Sequence, residues 1–513
     1  MGRSRDIDRA SGRHRALLVV AMLLVGLAGG DRAAAVSNGF AMSGVVEGFF
    51  GPPYSFEQRR ALFLFTARSG LDTYIYAPKD DPFHRARWRD AYPPEYLAHF
   101  HELAALGATA GVRFVYAIAP GLDYDPAAGD LDVLVRKLGT ILDVGVRDFC
   151  VFFDDVFGAD AGADPEVQAD VVTGVLAALR ARDPATSLCF ISQFYAGTAT
   201  QLATDSSPLA ALYPSHTSSA AYAAYRRIPP DVPIMWTGPA VFTDRLTVAE
   251  AAAFRAFAGR RVLLWDNYPV NDSLPNELFL GPYQGRGPGL ETALDGILVN
   301  PMLQAEASKI PLWTVGRALS LGAAYDPEAA AREALQVVAR DRHAVRALEI
   351  LASHFQSHPV IGDASESAEL AAAVDDFFRT RSPSSRRALT RLFRLYARNQ
   401  RRVAGTLPSP RANPALFAEL EEASRKLSLL GEAGLAAVEL LRRAERGEPV
   451  DPAPLTAQLA EANSIRWLVG GNRMSTSLAA LVAERPPNNQ DVFGSFFDRV
   501  LEELGATSPA GAS

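Results

Sequence analysis

The sequence predicts an α/β fold, a (β/α)8 TIM barrel, followed by a C-terminal all-α helical bundle. Between residues 44 and 299 a short apolar run, a polar or glycine-bearing end and a helix-length segment recur eight times, which is the repeat of a closed parallel barrel. After about residue 326 the strand-like runs stop, and Ala, Leu, Arg and Glu dominate. A doubly wound sheet also alternates strands and helices, but no Gly-x-Gly-x-x-Gly loop follows the first predicted strand.

The eight predicted strands are runs of β-branched, aromatic and other apolar residues. They span residues 44–47, 74–77, 114–118, 149–153, 188–191, 233–236, 262–265 and 296–299. Stretches rich in Ala, Leu and Arg lie between them, as at 57–67, 94–106, 131–142 and 166–181. We therefore assign residues 36–325 to the barrel domain.

Residues 326–513 are predicted to form the helical domain. Apolar residues spaced by three and four run through 327–355, 366–379, 385–405, 413–446, 452–468 and 490–504. Ser-Pro, Asn-Pro, Gly-Glu-Pro and Pro-Pro sequences interrupt them. We expect the Leu and Ala stripes to form a core rather than a partner-binding face, and the tail 508–513 to be disordered.

Residues 1–35 are predicted to be a secretory signal peptide. Five arginines precede an apolar run at 16–30, and Ala33-Ala34-Ala35 supplies a small-residue cleavage site. The run is shorter than the about 20 apolar residues of a membrane-spanning helix, and no cysteine follows it for lipid attachment. We therefore predict an exported protein, periplasmic or secreted, that begins near Val36 and has no stable membrane anchor.

Cleavage would leave a mildly acidic chain. It removes six Arg and three Asp, so the net charge changes from −7 to −10. A chain of this charge has no electrostatic reason to bind nucleic acid. The sequence does not indicate an oligomeric state.

The chain has only two cysteines, Cys150 and Cys189. Each lies in an apolar strand-like run, so two buried thiols are the expectation, with one disulfide as the alternative in an oxidising compartment. Neither has His or Cys at metal-ligand spacing. No metal and no other cofactor are predicted.

Polar residues follow nearly every predicted strand, and the strand at 149–153 leads directly into Asp154 and Asp155. Two neighbouring carboxylates after a buried strand are costly unless they are solvated, paired or used. Asp is also common at helix N-caps. Because the strand ends of a barrel converge on the face where active sites lie, the set as a whole indicates a pocket.

Eight motifs occur in unbroken order along the barrel. They are Gly44-Val45-Val46-Glu47-Gly48-Phe49-Phe50-Gly51, Tyr76-Ala77-Pro78-Lys79-Asp80-Asp81, Pro120-Gly121-Leu122-Asp123, Phe153-Asp154-Asp155, Trp236-Thr237-Gly238-Pro239, Trp265-Asp266-Asn267, Asn271-Asp272 and Val299-Asn300-Pro301. With these motifs, residues 43–302 resemble the β-N-acetylglucosaminidases of glycoside hydrolase family 84, which include enzymes that remove O-linked N-acetylglucosamine from proteins. The resemblance implies a retaining enzyme whose substrate is a glycan or glycoprotein with terminal β-linked N-acetylglucosamine.

The resemblance also implies residue roles. Asp154 would orient the acetamide N–H, and Asp155 would act as general acid and base. The residues that resemble the family's acetamide pocket are Tyr195, Trp265 and Asn267. Those that resemble its ligands of the sugar hydroxyls are Gly48, Lys79, Asp272 and Asn300, and Thr237 is a further substrate-binding candidate.

Three positions depart from the family pattern. Phe50 stands where Tyr is common, Gly139-Thr140 where Asp-Gln is usual, and Gln193-Phe194 where Thr-Glu is frequent. None of them removes the acidic pair. The last departure precedes Tyr195 and therefore bears on the substrate range.

Adjacent carboxylates favour one form of glycoside hydrolysis. Most glycosidases place two carboxylates on opposite sides of the anomeric carbon, which consecutive residues at one strand end cannot easily do. If the substrate's own 2-acetamido oxygen attacks, no enzyme nucleophile is needed. One acid then supports the acetamide, and the other protonates the leaving oxygen and later activates water.

Two alternatives from other classes stay open. A carbohydrate-binding protein on an inactive barrel would not require two acids at the anomeric end. Metal-dependent hydrolysis by Asp154, Asp155 and Asp123 lacks well-placed His ligands.

Glu47 is the only other acid whose strand register allows it to attack the sugar. A role in positioning the backbone fits Glu47 at least as well as a role as nucleophile. We interpret the charged stretch 80–89 as salt-linked support for Lys79, with His84 structural.

Overall fold

Eight parallel strands close into a barrel in chain order. The structure is a computed structural model and describes residues 38–157, 162–273, 277–356, 367–406, 413–465 and 492–506; the predicted signal peptide and C-terminal tail lie outside these ranges. The strands are β1 Met42–Glu47, β2 Thr73–Tyr76, β3 Arg113–Ile118, β4 Asp148–Phe152, β5 Ser187–Ile191, β6 Ile234–Trp236, β7 Val262–Asp266 and β8 Gly296–Val299. Each strand pairs with the next, and β1 also pairs with β8. The predicted fold class is confirmed.

Helices alternate with these strands in the barrel region. They are α1 Phe56–Arg68, α2 Pro94–Ala110, α3 Asp130–Asp143, α4 Pro165–Arg182, α5 Ala199–Ala203, α6 Ser218–Tyr225, α7 Val248–Ala258 and α8 Lys309–Leu321, with short 3-10 helices at Pro126–Ala128, Ala210–Leu212, Leu290–Thr292 and Gly322–Ala324. Capping boxes at Ser55, Thr198 and Thr247 begin three of them, because each side chain satisfies an otherwise unpaired N–H of the first turn.

The connection from β7 to β8 departs from the regular repeat. Its described part contains only the 3-10 turn Leu290–Thr292 and no α-helix. The segment is rich in Pro and Gly, which disfavour helix. This long irregular connection carries Asn267 and Asp272 to the mouth of the barrel.

Strand β4 is buried along its apolar run and neighbours β3 and β5. Cys150 and Cys189 are register partners across β4 and β5, and they form a disulfide with a Cα–Cα separation of 4.5 Å. The expectation of two buried thiols is therefore wrong. Each run predicted a buried cysteine, but only the pairing of the two strands brings the sulfur atoms together.

The C-terminal region is helical throughout its described part. Its helices are α9 Pro327–Ala339, α10 Arg342–Ala352, α11 Ala368–Thr380, α12 Pro383–Tyr396, α13 Asn399–Thr406, α14 Pro414–Glu419, α15 Glu421–Ala444, α16 Ala453–Ser464 and α17 Val492–Glu503. Three of the six predicted segments are each divided into two helices. Between α9 and α10, Arg340 is left-handed and Asp341 caps the new helix by accepting from the N–H groups of His343 and Ala344.

Side chains of the helical region bind the segment that follows the last barrel strand. The carboxylate of Glu419 accepts from the backbone N–H groups of Glu306 and Ala307, each at 2.9 Å, and Asn413 donates to Glu306 at 2.8 Å. Burial raises the pKa of Glu419 to about 7. The chain from Gly39 onward forms one compact unit. Within the described ranges, no helix has the length and apolar character needed to cross a membrane.

Glu47, at the end of β1, is fully buried and occupied by protein partners. Its carboxylate accepts from Arg59 at 2.7 and 2.8 Å and from the Tyr74 hydroxyl at 2.7 Å. The Arg59 guanidinium is buried as well. Glu47 thus anchors β1 to α1, as a positioning role predicts.

Replacing Arg59 with Met is expected to lower the free energy of unfolding by about 3–5 kcal/mol, because the Glu47 carboxylate would stay buried without its cation. Denaturant unfolding followed by circular dichroism measures the change. The control is Arg60→Met, since the Arg60–Glu102 pair is half exposed and should contribute no more than about 1 kcal/mol. Equal losses in both variants would contradict the assignment.

Candidate active site

All ten candidate residues line one pocket at the carboxyl ends of the strands. These are Gly48, Lys79, Asp154, Asp155, Tyr195, Thr237, Trp265, Asn267, Asp272 and Asn300. They come from seven different strand ends, so the predicted convergence of the barrel brings them together. Their individual roles stay predictions.

Asp154 and Asp155 follow β4 after one residue, Phe153, and both side chains are buried. Lys79, from the end of β2, pairs with Asp154 through its Nζ and lies 3.5 Å from the Oδ2 atom of Asp155. A single ammonium thus faces both carboxylates. This shared cation offsets part of the cost of burying two neighbouring acids.

The backbone at Asp155 is held in a left-handed conformation, with φ at 56°. Asp tolerates this region better than most residues do. Arg85 donates from Nη2 to the Asp155 carbonyl oxygen at 2.6 Å, and its guanidinium lies over the Phe50 ring at 5.5 Å. Arg85 therefore positions Asp155 through the main chain, whereas the sequence interpretation assigned it to the support of Lys79.

Tyr195 donates its hydroxyl to the Oδ1 atom of Asp155 at 2.8 Å. Burial, followed by the charge of Asp155, raises the pKa of Tyr195 well above its usual value, so the phenol stays protonated and remains a donor. The family resemblance placed Tyr195 in the acetamide pocket. In this structure its partner is the predicted acid/base residue.

The Oδ1 atom of Asp154 is buried and has no hydrogen-bond partner in the part of the chain that the structure describes. Its other oxygen is occupied by Lys79. A buried carboxylate oxygen without a donor is costly. It is therefore the acceptor in the pocket that is poised for an N–H or O–H group of a ligand.

Trp265, Asn267, Asn300 and Gly48 form a hydrogen-bonded chain in the lining of the pocket. Trp265 donates from Nε1 to Asn267 at 2.8 Å, Asn300 donates to the same oxygen at 3.1 Å, and Gly48 donates its N–H to Asn300 at 3.2 Å. Asn267 in turn donates to the Val241 carbonyl at 2.9 Å. These bonds fix the amide orientations and the plane of the indole.

Asp272 reaches the pocket from the β7–β8 connection. Its Oδ2 atom accepts from the Phe50 N–H at 2.8 Å. Burial raises the pKa of Asp272 to about 6, and the nearby charge of Asp155 adds to the increase. The side chain can accept hydrogen bonds when ionised and donate one when protonated, which suits a sugar hydroxyl.

Thr237 lines the pocket, but its hydroxyl is occupied by the main chain. It donates to the carbonyl oxygens of Ala240 at 2.8 Å and Tyr195 at 3.3 Å. The bond to Ala240 closes the turn that contains Gly238. A substrate contact by Thr237 stays a prediction.

The sequence interpretation missed the apolar wall of the pocket, which consists of Phe50, Ile191, Val241, Phe242 and Val270. Phe50 belonged to a family motif and was noted only as a departure. Its ring lies 5.7 Å from the Lys79 ammonium, a cation–π distance. The other four are ordinary apolar residues that no local pattern distinguishes from core.

Several residues considered from the sequence lie elsewhere. Gln193 is buried behind the pocket, where it donates to the Ala163 carbonyl at 2.6 Å. Asp123 accepts from Trp88 and Arg89 at 2.8 and 2.6 Å. His84 contacts the Ala117 carbonyl, and burial lowers its pKa to about 3, so it is neutral and structural as expected.

Gly48 has no room for a side chain. A Cβ atom there would lie 2.3 Å from the Cζ2 atom of Trp265. Gly48→Ala is therefore expected to displace the indole and lower kcat/KM by about 10²-fold, because small displacements in a site of this kind are costly. Gly287→Ala is the control, since nothing lies within 4 Å of its added methyl group. Similar activity in both variants would contradict the prediction.

The closed barrel and its buried acidic pair, with polar strand ends around them, place the chain among the barrel-fold glycoside hydrolases. Residues 43–353 match the family described as β-N-acetylglucosaminidase. The chain belongs to this family, glycoside hydrolase family 84.

Curated relatives and solved structures agree with this assignment. The chain is 33% identical over 299 residues to the rat (Rattus norvegicus) protein named Protein O-GlcNAcase, and 33% identical over 304 residues to the mouse (Mus musculus) protein of that name. These matches cover 56% and 58% of this chain but only 31% of each relative. The chain thus corresponds to about a third of the length of the relatives it matches.

Two solved structures match over most of the chain. A mutant of the O-GlcNAc hydrolase of Thermobaculum terrenum has a TM-score of 0.72 and 26% identity, covering 91% of this chain and 95% of that one. CpGH84B has a TM-score of 0.68 and 25% identity, covering 90% and 77%. Both likenesses extend beyond the barrel into the helical region.

Proposed function

We propose that the protein hydrolyses terminal β-linked N-acetylglucosamine from glycoconjugates, with retention of configuration, by substrate-assisted catalysis through an oxazoline intermediate. The observation that carries this proposal is the buried, unpartnered Oδ1 atom of Asp154 beside Asp155. An amide N–H on the sugar carbon next to the reacting carbon supplies the donor that this atom lacks.

In the first step the acetamide oxygen of the substrate attacks the anomeric carbon, and the bond to the leaving oxygen breaks. Asp155 gives its proton to that oxygen, so the aglycone departs as a neutral alcohol. Asp154 accepts a hydrogen bond from the amide N–H and stabilises the positive charge that develops on the ring being formed. The product is a bicyclic oxazolinium ion, or the neutral oxazoline once the amide proton has moved to Asp154.

In the second step Asp155, now a carboxylate, removes a proton from a water molecule. The water oxygen attacks the anomeric carbon from the face that the aglycone left, and the acetamide is restored. Two inversions at one carbon give net retention. Glu47 takes no part, because its carboxylate is fully occupied by Arg59 and Tyr74.

The remaining pocket groups have supporting roles in this scheme. Tyr195 and Lys79 hold the carboxylates of the pair. Trp265 offers an apolar wall for the acetyl methyl group, with Asn267 fixing the plane of the indole. Asp272 and Asn300 are placed to bind sugar hydroxyls. Because the names of the rat relative and of the Thermobaculum terrenum structure refer to O-GlcNAc, we include O-GlcNAc proteins among the proposed substrates.

The test is hydrolysis of an aryl β-N-acetylglucosaminide by the purified mature protein, with proton NMR of the first-formed sugar. The expected product is β-N-acetylglucosamine, which mutarotates later. An α product would overturn the retaining mechanism. Sugar binding without any hydrolysis would favour the alternative, a binding protein on the same barrel.

Export is a further part of the proposal. Its support is the Arg-rich and apolar N-terminal sequence and the Cys150–Cys189 disulfide, since disulfides persist mainly in oxidising compartments. Mass spectrometry of the protein from its native host should find a mature N-terminus near Val36 in the periplasm or medium. A soluble protein that retains Met1 would contradict export.

A further inference from the structure

One segment of the helical region has a charge opposite to that of the whole protein. Residues 377–418 contain ten arginines and no Asp, Glu or Lys. The chain as a whole has a net charge of −7, so the residues outside this segment carry −17. The positive charge is therefore concentrated in one short part of the bundle.

Five of these arginines are exposed, and we refer to them as the arginine row: Arg387, Arg391, Arg394, Arg398 and Arg401. The first three lie on α12 within an arc of about 60° on a regular helix, whereas Arg398 lies in the turn after α12 and Arg401 lies in α13. Buried residues such as Leu389, Phe393 and Tyr396 occupy the opposite face. The row is therefore the solvent face of an amphipathic helical segment.

The row continues from α12 into α13 along the same neighbour. Arg386, at the start of α12, pairs with Glu445 after the end of α15. Tyr396 and Asn399 bond Ser428 and Ser424, toward the start of α15. Helix α12 thus runs antiparallel to α15, and α13 begins against the first part of the same helix.

None of the five has an ion-pair partner among the described residues, unlike other arginines nearby. Arg379, Arg381 and Arg386 pair with Asp376, Glu503 and Glu445. Arg60 and Arg227, two exposed arginines of the barrel region, also have acidic partners. The row therefore has a high density of positive charge, and its guanidinium groups are available to an external anion.

We propose that the arginine row is a docking surface for a linear acidic polysaccharide, one that carries carboxylate or sulfate groups along its length. Guanidinium groups bind such planar or trigonal oxyanions through paired N–H donors. The three members of the row on α12 are separated along the helix axis by about 6 Å and 4.5 Å. These steps are comparable to the length of one sugar ring in an extended chain.

Two other polyanionic surfaces fit the row less well. An interfacial membrane helix needs an apolar face directed at the lipid, but the apolar face here is packed against the bundle. Duplex nucleic acid carries one charge per about 1.7 Å of its axis, so the surrounding net charge of −17 would repel it strongly. A single polysaccharide chain is narrower than a duplex, so it can follow the row with less of its length near the acidic remainder of the protein.

Choosing a polysaccharide, rather than another polymer, rests on the proposed function. An enzyme that removes terminal N-acetylglucosamine acts at one end of a glycan, and a second contact would hold the rest of the chain. The docking itself is independent of the chemistry at Asp154 and Asp155. Binding and hydrolysis can therefore be measured separately.

The experiment compares two variants in which three exposed arginines become Gln. The row variant combines Arg391→Gln, Arg394→Gln and Arg398→Gln. The control combines Arg60→Gln, Arg227→Gln and Arg332→Gln, which change the net charge equally but belong to ion pairs. A labelled heparin oligosaccharide is titrated into each full-length protein at several salt concentrations, with a neutral chitin oligosaccharide, a DNA duplex and phosphatidylserine vesicles as further ligands.

The row variant is expected to bind heparin oligosaccharide about tenfold more weakly than the parent, with a smaller dependence of affinity on salt because fewer counterions are displaced. The control should bind as the parent does, and both variants should hydrolyse a small aryl substrate normally. Equal weakening in both variants, or tighter binding of DNA or vesicles than of heparin, would overturn the proposal. Absent heparin binding with intact hydrolysis would overturn the docking surface alone, whereas binding without hydrolysis would overturn the proposed function alone.

Discussion

Asp155→Ala is expected to slow the hydrolysis of N-acetylglucosaminides with poor leaving groups by about 10²–10⁴-fold, the usual contribution of a general acid. Glycosides with acidic phenol leaving groups should lose much less in the first step, because their oxygen departs without a proton. The measurement is a plot of log kcat/KM against the pKa of the leaving group. The parent should give a shallow slope and the variant a steep one.

Azide provides an internal control for this variant. It attacks the oxazoline without needing a general base, so it should restore the second step and yield the β-glycosyl azide. Asp155→Asn should behave like the alanine variant, since it keeps the shape and the contact with Tyr195 but cannot transfer a proton. Equal losses for good and poor leaving groups, without azide rescue, would reverse or remove the assignment of Asp155 as the acid.

The glucoside that matches a good substrate but lacks the acetamide is expected to be essentially inert. The acetamide oxygen is the proposed nucleophile, and the glucoside has no group that replaces it. Fluorine on the acetyl methyl group weakens that oxygen, so kcat/KM should fall steeply from acetyl to trifluoroacetyl substrates. A stable thiazoline analogue of the bicyclic intermediate should bind much more tightly than the free sugar.

Asp154 supplies the matched variant for this second prediction. Asp154→Ala should slow good and poor leaving groups alike, by about 10²–10³-fold, because the developing charge then lacks its stabilising group. Its slope against leaving-group pKa should stay close to that of the parent, unlike the slope for Asp155→Ala. Efficient cleavage of the glucoside, or a covalent sugar trapped on Glu47, would overturn the mechanism while leaving the fold unaffected.

Local sequence patterns were sufficient for the barrel and for the convergence of its polar strand ends on one face, whereas the ten candidate residues were selected by their resemblance to the family motifs. Each strand is an apolar run whose period and flanking residues are read within a few positions, and a parallel barrel necessarily brings the ends of its strands together. The eight strands were therefore predictable from local patterns, and the resemblance then indicated which ten of the strand-end residues line the pocket. The acidic pair was the strongest signal, because two adjacent carboxylates after a buried run are costly in an ordinary turn.

Contacts between residues far apart in the chain were decided only by the tertiary structure. The pairing of β4 with β5 joins Cys150 to Cys189, and the fold directs Arg85 to the Asp155 carbonyl rather than to the support of Lys79. The tertiary structure also pairs Glu47 with Arg59. It places Gln193 behind the pocket, where it donates to the Ala163 carbonyl. A sequence pattern specifies which residues are buried at a strand end, but not which distant side chain meets them there. That choice depends on strand pairing, loop conformation and packing.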